Sequence, residues 1–250
     1  MDTHFHRKNS GITAAAHTSR TRLNLLLISS LLVYAVSIPA QPVTGETRET
    51  FDTTTDGLVP TGWNVDATNP AGPLALWKVK TDPRSPSPPK MLTIERILDK
   101  YHGVFNLCWS KQLEFEDGEV EVRVRANSGE SDQGGGLLWR IKDANNYYVA
   151  RYNPLENNFR LYYVKEGRRT QLASAENLAI PAGAWFHLRI AQHGQRIQGW
   201  FNTTLVWDVN NAQIPEKGGV GVWTKADAVS SFDDFIVRST TKTSTRPAAP

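Results

Sequence analysis

Between Gly134 and Val164, arginines and flat aromatic rings recur side by side: Trp139-Arg140, Tyr148 with Arg151-Tyr152, and Arg160 with Tyr162-Tyr163. Aromatic faces give sugar rings an apolar platform, and guanidinium forks donate paired hydrogen bonds to hydroxyl or carboxylate oxygens. Each pair taken alone reads equally well as a core aromatic beside a solvated arginine. Several pairs on neighbouring segments favour a shared binding face. The residues expected to face a ligand are Arg140, Arg151, Tyr148, Asn153, Trp223 and Lys225. Trp223 and Lys225 fall two apart and so share one side of a strand. Trp139 and Arg140 are adjacent and cannot both face the ligand unless the strand bulges, so Trp139 is expected inwards. Asn153, before Pro154, also reads as a turn cap.

Acids that could move a proton near these cations are Asp132, Asp227 and Asp143, with Asp132 and Asp227 as the catalytic candidates. Each also reads as a turn former. No histidine pair has the spacing of a zinc site. His187 alternates with Phe186 and Leu188 and reads as a strand histidine with a partner. Cys108 is the single cysteine and lies between Leu107 and Trp109, so it reads as a small buried apolar residue with no disulfide to form. Asn202-Thr203-Thr204 fits a glycosylation acceptor in a host that glycosylates its secreted proteins.

The elements that must position these residues are strands. Runs rich in branched and aromatic residues are bounded by Lys142-Asp143-Ala144 and by Leu155 to Asn158, the pattern of three antiparallel strands in a meander. Phe51-Asp52 is expected to start a first strand that runs into a turn by Gly62-Trp63, with a second over Trp77–Lys80. Asp82 to Lys90 holds four prolines and must be a loop. Further strands are expected over 91–97, 103–109, 171–180, 185–190, 196–201, 205–209, 219–224 and 232–238. Between Phe115 and Val120 the apolar positions change from odd to even, so a bulge or turn at Asp117-Gly118 must absorb a residue. No helical period of useful length appears after the leader. Turns every 8–12 residues over this length predict an all-β sandwich of two antiparallel sheets.

The chain has 250 residues and a formal charge of only +3, with the basic excess gathered in the first 22 residues and the tail. No basic stripe remains to suggest nucleic acid. A basic leader, the uncharged run Leu23–Ile38 and the small residues Ala35, Ser37 and Ala40 read as a secretory signal peptide over 1–40. The run is short for a bilayer span, so no stable membrane span is expected after cleavage. The expected organisation is a linker over 41–46, one domain over 47–239 and a disordered tail over 240–250, in a secreted or periplasmic protein.

The segment from Asp132 through Gly134-Gly135-Gly136-Leu137-Leu138-Trp139-Arg140 and Tyr147-Tyr148-Val149-Ala150-Arg151-Tyr152-Asn153-Pro154 to Tyr162 resembles bacterial 3-keto-disaccharide hydrolase domains. So does Gly219 to Ala228, followed by Ser231-Phe232-Asp233-Asp234-Phe235. The resemblance implies a concanavalin A-like lectin/glucanase jelly roll, with first and last strands adjacent and a carbohydrate ligand on the concave face. It also implies calcium or another divalent cation as a possible cofactor, for which Asp52 and Asp233 are the candidate ligands. A ketone acidifies the neighbouring C–H of a 3-keto sugar, so elimination needs a base, an electrophile for the enolate oxygen and a positioned water. The glucanases of the superfamily carry three acids on one strand. Glu114-Phe115-Glu116-Asp117-Gly118-Glu119 has the wrong spacing for them. Two functions stay open: a carbohydrate-active enzyme of 3-keto-glycosides, and a non-catalytic glycan- or protein-binding module of laminin-G type. An acid within reach of the arginines decides for the first.

Overall fold

The computed structural model describes residues 45–98 and 101–240. The signal peptide read over 1–40 and the tail beyond 240 lie outside the described residues. Within them are fifteen strands: β1 (Gly45–Glu49), β2 (Trp63–Thr68), β3 (Leu76–Thr81), β4 (Lys90–Arg96), β5 (Phe105–Phe115), β6 (Gly118–Ser128), β7 (Gly135–Asp143), β8 (Asn146–Asn153), β9 (Asn158–Lys165), β10 (Arg168–Ala175), β11 (Trp185–His193), β12 (Arg196–Phe201), β13 (Thr204–Asn210), β14 (Gly218–Lys225) and β15 (Val229–Ser239). No helix long and apolar enough to cross a membrane occurs among them.

The strands form two antiparallel sheets. The first runs β13-β12-β11-β6-β15-β4-β3, with β1 also on β15; the second runs β10-β9-β8-β7-β14-β5-β2. Alternation explains the layering. In β6, Val120, Val122 and Val124 are fully buried between the sheets while Arg123 faces outwards. The inner faces meet on large rings: Trp139 stacks on Tyr148 at 5.4 Å, Tyr152 meets Phe186 and Phe201 at 4.8 and 4.7 Å, and Phe159 meets Trp207 at 5.2 Å. Cys108 is wholly buried in this core, and burial pushes its thiol pKa well up, away from reactivity.

Three departures from the sequence reading have simple causes. Gly45–Glu49, where no strand is expected from the sequence, is an edge strand that holds Glu49 against Phe235; it carries no apolar residue that alternation could reveal. Phe51 is not in a strand: it has a φ of 64° in a turn, from which it packs on Trp63 at 5.8 Å. First and last strands are nevertheless adjacent, one residue block earlier than expected. The odd-to-even change near Asp117-Gly118 marks a passage from one sheet to the other, since β5 and β6 belong to different sheets. Gly118 makes that corner at a φ of 127°, where a Cβ would stand 1.9 Å from the Arg238 carbonyl oxygen.

The second sheet is strongly curled. Tyr147 of β8 and Thr68 of β2 both project from its outer face, and four inter-strand steps separate them. A flat sheet would hold those strands roughly 19 Å apart, yet the two hydroxyls are 2.7 Å apart. Asn69 likewise donates to the Gly167 carbonyl, 2.9 Å away in the β9–β10 turn. The outer face is therefore a trough with a buried apolar floor of Phe105, Leu107, Trp109, Leu138, Val149, Tyr162 and Trp223, among others.

Candidate functional site

Strand register decides which side chains reach this trough. Gly136 of β7 pairs with Arg151 on one side and Trp223 on the other, so Arg151 and Trp223 flank a floor position without a side chain. A Cβ on Gly136 would lie 2.0 Å from the Ala150 carbonyl oxygen, so the strands approach this closely only with glycine. One residue pair further along the trough stand Lys225, Phe105 and Asn153; on β9, Asn158, Arg160 and Tyr162 face the same way.

Asp132 supplies the acid. It lies in the loop before β7, is 3% exposed, and accepts from Lys225 Nζ at 2.7 Å and from Asn153 Nδ2 at 3.1 Å. Asp227 positions it from behind: its carboxylate accepts the backbone N–H groups of Glu130, Ser131 and Asp132 at 2.8, 3.0 and 2.9 Å. Burial alone would raise the Asp227 pKa, but these three donors outweigh it and hold the carboxyl below its ordinary value. Asp227 thus shapes the loop while Asp132 faces the cations. Asp143 accepts from Asn145 and Asn146 in the β7–β8 turn.

Arg151 is 3% exposed and donates to Asn158 Oδ1 at 2.8 Å, Glu156 Oε2 at 3.2 Å and the Tyr162 hydroxyl at 3.4 Å. Glu156 also receives Asn158 and Arg160 at 2.9 and 2.8 Å. Burial raises the Glu156 pKa, and Asn158, Arg151 and Arg160 together bring it below the usual range. Asn153 caps the β8–β9 turn by accepting the Leu155 N–H at 2.8 Å, as its turn reading expects, and its amide donates to Asp132.

Two expected ligand residues lie elsewhere. Arg140 sits at a bulge of β7 with a φ of 48°, which turns it away from the trough. Its buried guanidinium donates to the carbonyls of Glu116, Ile214 and Gly194 at 2.9, 2.9 and 3.2 Å and to Asp117 Oδ1 at 3.1 Å, clasping three connections at one end of the sandwich. Tyr148 is in the core against Trp139, and its hydroxyl donates to Asn211 Oδ1 at 2.7 Å. Its neighbour Tyr147 takes the outward place. Trp139 points inwards as expected, with its indole N–H on Gln192 Oε1.

Sequence reading missed Arg169. It is the second residue of β10 on the edge of the sheet, yet the curl carries its guanidinium across five strand positions to within 4.4, 5.0 and 6.0 Å of the rings of Tyr162, Phe105 and Trp223. Burial pushes its pKa down. Gly167 before it signals a turn, but nothing local signals the reach.

The cation candidates do not fit a metal. Asp233 is fully buried and accepts Ser87 N–H, Ser87 hydroxyl and Asp234 N–H, each at 2.7 Å; Asp52 accepts Lys90 N–H at 3.1 Å and the Thr50 hydroxyl at 3.0 Å. Their oxygens accept from loop donors, and no cluster of three or more His, Cys, Asp or Glu side chains that could hold a metal ion occurs among the described residues. His187 pairs with Glu121 at 2.8 Å. A depression of about 710 Å³ lies on the outer face of the first sheet, lined by Lys78, Arg125, Asp82 and Glu95. Among its cations Lys78 pairs with Glu95, and Arg84 and Arg125 pair with Asp82.

Comparison with known proteins agrees with this architecture. The carbohydrate binding module CBM66 from Bacillus subtilis is 20% identical with a TM-score of 0.54, over 70% of this chain and 94% of that one. The Bacillus licheniformis beta-glucanase is 11% identical with a TM-score of 0.52, over 80% and 100%. The cellulose induced protein Cip1 is 17% identical with a TM-score of 0.51, over 78% and 97%. At such identities the likeness is one of fold, a jelly roll shared by carbohydrate-binding modules and glucanases. No curated protein matches the chain. The family model described as a 3-keto-alpha-glucoside-1,2-lyase-like domain matches residues 51–238, which takes in every strand from β2 to β14 and nearly all of β15, and the chain belongs to that family.

Proposed function

We propose that the trough of the second sheet binds a 3-keto-glycoside and eliminates its leaving group across C1 and C2. The observation that carries this reading is an acid among the cations: Asp132 stands 2.7 Å from Lys225, on the face that also holds Arg151 and Trp223. In this reading Asp132 takes the C2 proton, and the C–H electrons become the enolate on the C3 oxygen. Lys225 stabilises that oxyanion. Return of the electrons forms the C1–C2 double bond, breaks the C1–O bond and releases the leaving group, which takes up a proton as an alcohol. Trp223, 1% exposed and covered by Arg169, belongs to the apolar floor beneath these groups.

A second reading, a non-catalytic glycan-binding module, has one observation in its favour. Asp132 is buried and both its oxygens already accept donors, Lys225 on one and Asn153 on the other, so its carboxylate is tied into the fold as a structural group would be. NMR of the protein with a 3-keto-disaccharide and its unoxidised parent, with and without chelator, separates the two. Release of free sugar from the keto form alone, lost in Asp132→Asn, supports the lyase. Line broadening without turnover supports the binding module, and loss with chelator brings a metal into the reaction. The basic and apolar leader of residues 1–40 supports export to the periplasm or medium, which N-terminal sequencing of the mature protein tests.

A further inference from the structure

We propose that the sugar taken by this trough is anionic, with a carboxylate held between Arg151 and Arg169. The inference rests on the trough being the sugar site and adds the substrate class. Its basis is two guanidinium nitrogens that are buried without an acceptor among the described residues: Nε of Arg151 and Nη1 of Arg169. The other Arg151 nitrogens are engaged by Asn158, Glu156 and Tyr162. Arg160 has Glu156 and Glu176, and Lys225 has Asp132. Arg169 has rings and no carboxylate partner among the described residues.

A buried charged donor left unpaired costs more than a neutral one, and folded proteins leave few of them. A carboxylate is the group that matches guanidinium forks, because it offers two oxygens in one plane. A single keto oxygen would meet one arginine. Two arginines from different strands, both against Tyr162, call for a ligand group with two acceptors. The apolar floor beneath them strengthens such a pairing by excluding water. Uronic acid glycosides have this chemistry: a sugar ring that carries a carboxylate for the arginines.

The test is an NMR titration of the full-length chain with methyl α-glucuronoside and methyl α-glucoside, which differ by the one carboxylate. The expected result is at least tenfold tighter binding of the glucuronoside at low salt, a preference that shrinks as ionic strength rises and disappears in Arg169→Gln. Equal affinity for the two sugars overturns the anionic substrate and leaves the trough as a neutral-sugar site. A preference that survives Arg169→Gln also overturns it. Arg169-dependent glucuronoside binding without turnover of any 3-keto-glycoside removes the lyase reading and leaves this one standing. Failure of both sugars to bind overturns both. Should Arg169→Gln fail to fold, the comparison of the two sugars on the unsubstituted protein still decides.

Discussion

The hydroxyl groups of Thr68 and Tyr147 lie 2.7 Å apart although three strands separate their backbones in the sheet. Thr68 donates to the Ala144 carbonyl, so the Tyr147 hydroxyl donates to Thr68. This bond spans the mouth of the trough and fixes its curvature. Tyr147→Phe keeps the ring and removes the brace, which should cost about 1 kcal/mol and lower the melting temperature by about 2–4 °C. An unchanged melting curve would mean that the core alone sets the curl.

Arg140 and Arg151 have near-equal burial and opposite roles. Arg140 clasps Glu116, Asp117, Gly194 and Ile214; its replacement by methionine leaves Asp117 and three carbonyls short of a donor, at about 3–5 kcal/mol. Arg151→Met should spare more of the stability and remove most sugar affinity. Melting curves and NMR titrations on both variants check this. Loss of binding in a still-folded Arg140→Met protein would place the site at the wrong end of the sheet.

Much of this arrangement was legible in the sequence. The turn residues around the meander, and the valines of β6, mark strands and their inner faces, because period-two alternation survives wherever one face is buried. Trp223 with Lys225 was readable in the same way. Tyr148 was placed on the wrong face even though alternation speaks against it: Arg151 and Asn153 share parity with Tyr147. Arg140 was not readable, since a bulge of one residue in the left-handed region redirects it. Arg169 was beyond local reading altogether, because its place depends on curvature summed over six strands. Edge strand β1 carries only polar residues and glycine, so no hydrophobic pattern announced it.

Glu121 makes stability depend on acid. Burial works against its charge, but His187 and the Arg238 guanidinium bring its pKa down to about 2, below the 4.5 of an unperturbed glutamate. A carboxylate with a depressed folded pKa stabilises the fold fully above its unfolded value and loses that contribution as pH falls from 4.5 towards 2. The difference is worth on the order of 3 kcal/mol. Glu121→Gln should therefore be less stable than the unsubstituted protein at pH 6, and the gap should close by pH 2. Parallel denaturation curves across that range would refute the assignment.

Asp233 has the opposite sign. Burial outweighs its three donors and pushes its pKa up to about 6. Its neutral form suits the fold, so its contribution is fully present below pH 3.8 and is lost as pH rises to about 6. Subtracting the pH–stability curve of Asp233→Asn from that of the unsubstituted protein should give a difference that falls over pH 4–6 and is level above it. A difference that rises over this interval would show that the donors from Ser87 and Asp234 outweigh burial.

The pairing of Asp132 with Lys225 separates catalysis from binding most directly. If the two act as one unit in proton removal, Asp132→Asn and Lys225→Met should each reduce turnover of a 3-keto-glycoside by at least about 100-fold. The double variant should then be no worse than either single one, because groups acting together are grossly non-additive. A binding module predicts a different cycle. Each substitution would weaken sugar affinity modestly, and the two effects would couple only through the lost ion pair, by about 0.5–3 kcal/mol. Asp132→Asn keeps the side-chain shape but abolishes the negative charge and turns one of the two acceptors facing Asn153 and Lys225 into an amide donor, so stability measured alongside tells a folding defect from a chemical one. Turnover that survives in folded Asp132→Asn would move the base elsewhere in the trough. Glu156 is then the next acid to test, since it already touches Arg151 and Asn158.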